Sequence, residues 1–372
     1  MNISNFLFIL GAPDPEMERI ESLLKFHGAA VAHATSGGKR VHPGNAYKAD
    51  GVDTSDQPAV LDRTEIFFVE CDLPGAFGGY DEEYGYSHEL YWVDHHRTGD
   101  PGHGTKPEYF LNGSSLGQVY LLLAEMGVQF PGGPGGPGTT TGLHYHGSFG
   151  WYIGYGEAGE TEHMISPIPF DHVYAAAADH CPAQAYQGQC PGVDPDMLME
   201  WRAETRAQFQ GCDPQELLDQ VRETVERLES AQAEAIRIHG EPDKCISIPH
   251  RFGGKPTLPE LPEAAMRLGV AVEAQVKDRD GRTKRTLMGN TDPALVQKWM
   301  DEWKAMGCEV YGSPERGYAG AYLDLTQEEM RIFRCLQDRA YAVKGNGTPS
   351  HEIQAVRHGD GTWELQEVFI GQ

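Results

Sequence analysis

Basic side chains are scarce in this chain. Its 30 Lys and Arg stand against 55 Asp and Glu, for a formal charge of −25. A field of that sign repels a long polyanion unless a basic groove or metal ions offset it, and the only dense basic stretch is "KDRDGRTKR" at 277–285. Duplex DNA is thereby disfavoured as a partner, whereas a small phosphorylated substrate held through metals is not. Long apolar runs are missing too. No stretch of the sequence approaches the roughly 20 residues of a bilayer-spanning helix, so no membrane partner is expected. The first apolar run, Phe6 to Leu10, ends at Gly11 and has neither a basic region before it nor a cleavage pattern after it. It is expected to be a strand and not a signal peptide. The 7 cysteines are odd in number and never spaced CxxC, which argues against a disulfide framework and for a reducing compartment, by default the cytoplasm. There is no internal repeat.

What is present suits buried cores. With 40% hydrophobic residues over 372 positions, the chain is long enough for two or three domains. "NFLFIL" at 5–10 reads as a buried strand, "EMERIESLLKFHG" at 16–28 as a helix stopped by Gly, and "AAVAHA" at 29–34 as the next strand. That order predicts β-α-β in a parallel sheet. A polar excursion covers 35–64. "EIFFVEC" at 65–71 and "HELYWVD" at 88–94 are further strands, and "SSLGQVYLLLAEMG" at 114–127 is a helix with serine as cap. The Gly- and Pro-rich segment 130–150 reads as a long loop or lid. Residues 172–186 begin as a strand or a buried helix, between which periodicity does not decide. A helical pattern runs from Asp194 to about Gly240, broken near 211–214. Beyond it, strands at 271–276 and 362–370 mix with helices at 292–306 and 326–337. The expected class is α/β: a parallel-sheet domain over 1–190, a helical linker over 191–240, and a second, smaller α/β domain over 241–372.

Four segments place acids or histidines just past an apolar stretch: Asp14 and Glu16, then Asp72, then Asp94-His95-His96, then Asp179-His180. In a parallel sheet the carboxyl ends of neighbouring strands converge on one edge, where such folds bind ligands. Carboxylates with imidazoles and no thiolates suit Mn²⁺, Mg²⁺ or Fe²⁺ better than structural zinc. Each segment also has a plainer reading. "APDPE" at 12–16 is a turn leading into a helix with acids in its first turn, Asp72 is a loop acid, His144 and His146 are solvated loop histidines, and Cys181 is a buried thiol. The "DHH" run resists such a reading, because three polar residues at the end of an apolar strand need partners.

In these motifs the sequence resembles the DHH family of phosphoesterases, which spans RecJ-type exonucleases, oligonucleotide and cyclic-dinucleotide phosphodiesterases and family II pyrophosphatases. "VDHH" at 93–96 matches the naming motif, "APDPE" is similar to the family's first metal loop, and "AADH" at 177–180 to its last. The resemblance implies a DHH-type first domain holding one or two Mn²⁺ or Mg²⁺ ions on Asp14, Glu16, Asp72, His95 and Asp179, with Asp94, His95 and His96 in catalytic roles. It implies a phosphodiesterase or phosphatase acting on a small nucleotide, a cyclic dinucleotide or a short single-stranded oligonucleotide. Two departures stand out. Leu10 occupies the place of a first-loop histidine, for which His33, His103 or His172 is a substitute, and Glu16 replaces an aspartate. The family's Gly-Gly-His motif is also missing, so "RFGGK" at 251–255 and "RGYAGAY" at 316–322 are the nearest substrate-binding candidates, through Arg251, Lys255 and Arg316. The alternatives are a catalytically inactive nucleotide-binding module on the same fold and a single-strand exonuclease.

Overall fold

The computed structural model of the protein describes residues 3–53, 55, 65–73, 89–97, 99–128, 130, 141–148, 150–155, 163–239, 245–248, 258–277, 283–289, 293–314, 317–322, 351–357 and 363–369. The chain opens with β1 (Phe6–Leu10), α1 (Pro15–Phe26) and β2 (Ala30–Ser36). Two short strands follow, β3 (Lys39–Arg40) and β4 (Gly51–Asp53), and then β5 (Glu65–Val69) and β6 (Glu89–Val93). These form one sheet in the order β3-β2-β1-β5-β6, with β4 also on β2. β1 runs parallel to β2 and β5, and β5 parallel to β6, as the β-α-β pattern predicted. The 35–64 excursion differs from a bare loop. It returns to the sheet edge as antiparallel β3 and β4, so the sheet is mixed.

A central parallel strand is apolar throughout because both of its faces are covered. Phe6, Phe8 and Leu10 face a core with Met17, Ile20 and Leu24 of α1. Leu7 and Ile9 face the opposite layer, closed by Val41, Ala46 and Ala49. Asp14 caps α1 by accepting from Met17 N at 2.8 Å, with Pro15 at the first helical position, where its missing N–H costs nothing.

Next come α2 (Phe110–Gly113) and α3 (Ser115–Glu125), whose cap Ser114 accepts from Gly117 N. The Gly-rich segment departs from the expected loop in its second half. Thr141–His146 is β7, paired antiparallel with β8 (Gly150–Tyr155), which pairs with β9 (His163–Pro167). Residues 131–140 lie outside the described residues. Residues 172–186 are helical, in α4 (Phe170–His180) and α5 (Pro182–Tyr186). The predicted break near 211–214 separates α6 (Pro195–Gln210) from α7 (Pro214–His239).

The second unit contains β10 (Cys245–Ile248), α8 (Leu261–Leu268), β11 (Ala271–Lys277), β12 (Thr283–Met288), α9 (Pro293–Ala305), β13 (Glu309–Ser313) and β14 (Tyr318–Tyr322). Its sheet runs β10-β11-β12-β14-β13, and all pairs except β10-β11 are antiparallel. Val296, Trp299 and Trp303 of α9 pack on one face. On the other, Val272, Ala274 and Met288 join the large core that also holds Leu198 and Trp201 of α6, Val221 of α7 and Ala264 of α8. The two units therefore share buried apolar surface. A last hairpin pairs β15 (His351–Arg357) with β16 (Trp363–Phe369). The helix expected at 326–337 lies outside the described residues, and among those described no helix is long and apolar enough to cross a membrane.

Gly11 sits where β1 ends beside β5, its N–H donating to Val69 O at 2.9 Å. A methyl group there would overlap the Glu70 carbonyl. Gly11→Ala is expected to lower the unfolding free energy by about 1–3 kcal/mol, the cost of forcing atoms into a packed site. Urea denaturation with an unchanged slope checks this.

Candidate metal centre

Register decides which side chains meet. Leu10 pairs with Val69 and Val69 with Val93, so Gly11, Glu70 and Asp94 are the first residues past the sheet at one level. Glu70, His95, His96 and Asp179 each bring one ligand-type atom to within 4.8 Å of the others. Glu70 and His95 are buried, while His96 and Asp179 are half-buried. Glu70 leaves β5 at φ 52°, in the left-handed region that a non-glycine residue adopts at a cost of about 1–2 kcal/mol. Its N–H is held by Val93 O at 3.0 Å.

Asp94 organises the histidines. Its carboxylate accepts from His95 N at 2.7 Å, His96 N at 3.0 Å and His96 Nδ1 at 2.9 Å, and from the Tyr47 hydroxyl at 2.9 Å. The Arg97 guanidinium lies 3.9 Å over the Tyr47 ring. Since Asp94 Oδ1 holds His96 Nδ1, the proton is assigned to that nitrogen and His96 Nε2 keeps its lone pair, 3.6 Å from Asp179 Oδ2. His95 has Ser115 Oγ 3.2 Å from Nδ1, and its Nε2 is 3.0 Å from Asp179 Oδ2. The two imidazoles stack at 4.3 Å, and the His180 ring meets His95 edge-on at 4.7 Å.

The charges explain what this arrangement accommodates. Burial, then the carboxylates of Asp14, Asp179, Glu16 and Asp94, push the Glu70 carboxyl well above its usual range. Burial also opposes the charge on Asp94, but hydrogen bonds from His96 and Tyr47 outweigh it and hold that carboxyl low. Glu70 Oε1 is buried and accepts no hydrogen bond from the described residues; His95 Nδ1 lies 4.0 Å away. Two carboxylates and two imidazoles around such an atom fit a divalent cation, whose charge would offset the repulsion.

Of the residues singled out from the sequence, the structure brings His95, His96 and Asp179 together and sets Asp94 behind them. Asp14 and Glu16 stand close enough to act on Glu70, but each has a structural task. Asp14 caps α1, and Glu16 Oε1 accepts from Leu116 N at 2.8 Å, joining α1 to the start of α3. Asp72 is not in the group. It lines a cleft of about 390 Å³ with Trp92, Arg97 and Asp100. Glu70, overlooked in the sequence, occupies the place expected of Asp72, because it is the residue level with Gly11 and Asp94 whereas Asp72 lies two further on. The readable signal was its position directly behind the apolar strand in "FFVEC". His33 is paired with Glu21 at 3.1 Å and His172 with the Tyr120 hydroxyl at 2.8 Å, so neither joins the group. Arg251, Lys255 and Arg316 lie outside the described residues.

Compared with known proteins, the chain matches no family model and no curated protein. Function must then be argued from the site itself.

Glu70 gives a pH dependence of definite sign. With its folded pKa raised above the ordinary 4.5, the metal-free folded state binds more protons than the unfolded chain above that pH. Stability from this group is complete below pH 4.5 and is lost as pH rises toward the folded pKa. Thermal melts in chelator across this range should show that decline, and Glu70→Gln should flatten it.

Proposed function

We propose that the protein is a metal-dependent phosphohydrolase of the DHH type. It would hydrolyse a phosphodiester or phosphoanhydride in a small nucleotide, cyclic dinucleotide or short oligonucleotide, using Mn²⁺ or Mg²⁺. One observation carries the proposal: Glu70, His95 and His96, at the carboxyl ends of the parallel strands β5 and β6, meet Asp179 of α4. Acids and imidazoles gathered there, with a buried carboxyl pushed far from its usual range, are what metal-assisted hydrolysis requires.

Glu70, His95, His96 and Asp179 would hold the ion. A divalent cation so bound supplies Lewis acidity, which lowers the pKa of water and neutralises phosphoryl oxygens. The chain does the rest. Asp94 fixes the His96 tautomer and turns Nε2, with its lone pair, toward Asp179 and the ion the group would hold. Tyr47 holds the second Asp94 oxygen, so the carboxylate cannot swing away. Ser115 orients His95 from the far side of its ring. The acidic surface suits mono- or dinucleotide-sized substrates over long polyanions.

A nucleotide-binding module without turnover is the second reading, favoured by one observation. Asp14 and Glu16, which resemble metal ligands in the sequence, are committed to capping helices. A panel from pyrophosphate through cyclic dinucleotides, dinucleotides and single-stranded oligomers, assayed in Mn²⁺ and Mg²⁺, separates the two. Turnover of at least one member is expected; binding without turnover in either metal would favour the module.

The active reading makes a contrast. Glu70→Gln should lower kcat by more than the roughly 100-fold reached when outer partners are lost. Asp72→Asn, outside the group, should keep turnover within about tenfold of wild type on the same scale. Steady-state kinetics over a Mn²⁺ titration measures both, and a reversed order would remove Glu70 from the site.

A further inference from the structure

Arg202 is a half-buried cation that the proposed chemistry does not use. It lies in α6, with Nε donating to Glu263 Oε1 at 2.7 Å and Nη1 to the Ala178 carbonyl at 2.8 Å. The Ala178 acceptor is unusual. It sits in the last turn of α4, where its ordinary donor would be the N–H four residues on, and that residue is Pro182. The preceding option is also taken, since Cys181 N donates to Ala177 O. The guanidinium therefore serves as the C-terminal cap of α4, one residue before Asp179. A cation is favoured at a helix C-terminus.

The other end of the guanidinium is tied to the second unit. Glu263 belongs to the first turn of α8, is 4% exposed, and also accepts from the Tyr186 hydroxyl. Burial opposes the charge on Arg202, but Glu263 outweighs it and holds the guanidinium protonated. Arg206 makes a second ion pair alongside, with Glu260.

We propose that Arg202 is a positioning residue for the metal centre, fixing Asp179 through the Ala178 carbonyl and transmitting the seating of α8 to it through Glu263. This rests on the reading of Asp179 as a metal ligand. On this view the second unit influences the site through one shared side chain. It also bears on a residue that touches neither metal nor substrate.

The competing explanation is that the pair merely stabilises the α6–α8 contact. A double variant, Arg202→Met with Glu263→Met, separates the two, because replacing both members of a buried ion pair by apolar side chains is often neutral or stabilising. Mn²⁺ binding to the full chain would be followed by electron paramagnetic resonance, alongside thermal melts in chelator. The double variant should melt with wild type in chelator, yet its Kd for Mn²⁺ should rise about 10- to 100-fold, the usual effect of losing an outer partner of a ligand. The spectrum of the bound ion at saturation should change as well. Arg202→Lys, whose single ammonium cannot span Glu263 and the carbonyl together, should raise Kd by a smaller factor and serves if the double variant does not fold. An unchanged Kd and spectrum in whichever variant folds, with wild type binding Mn²⁺, overturns the positioning role alone. Wild-type protein that takes up no Mn²⁺ overturns the metal-site reading and this inference together.

Discussion

Repulsion among carboxylates is the constraint around which the first unit is arranged. Glu70 feels Asp14, Glu16, Asp94 and Asp179 at one edge of the sheet, and burial magnifies each repulsion. The fold disposes of most of these charges locally. Asp94 is surrounded by donors from His95, His96 and Tyr47. Asp14 and Glu16 each accept from a backbone N–H at the start of a helix, where the helix dipole also favours a negative charge. Glu70 keeps a buried oxygen that accepts no hydrogen bond from the described residues.

Backbone geometry is committed to the same end. Glu70 adopts a left-handed conformation that an L side chain ordinarily avoids, and Gly11 lies against its carbonyl where no side chain fits. Strain of this kind persists where surrounding contacts over-determine it, and it clusters at functional positions. The hydrogen bonds Gly11 N to Val69 O and Glu70 N to Val93 O supply that restraint, joining the three strand ends at the level of the site.

The two units are coupled by packing and by charge. A single core runs from α1 through α4, α6 and α7 to α8 and one face of the second sheet. Within it, half-buried Arg202 and buried Glu263 form an ion pair that reaches the last turn of α4. Replacing such a pair by apolar side chains of similar volume is often neutral or stabilising.

Much of this architecture was legible in the residues. The strand-helix-strand order over 5–34, the strands at 65–71 and 88–94 and the helix at 114–127 all follow from apolar periodicity and caps, which are local properties. The same applies to the break between α6 and α7. The place of His95 and His96 at the site edge was also foreseeable, because parallel strands open their carboxyl ends on one edge, whereas Asp179 arrives on helix α4. What the tertiary structure alone decided was register. A shift of two residues separates Glu70 from Asp72, and nothing in "VECDLP" says which is level with Asp94 until β5 is paired with β1 and β6. Whether 172–186 was helix or strand was likewise not decided by periodicity, since a run buried on all sides shows none. The capping of α4 by Arg202 joins residues 24 apart in sequence through a proline that cannot donate. Pairings of that kind are set by how helices dock, and docking is a property of the assembled core, which no local stretch of sequence contains.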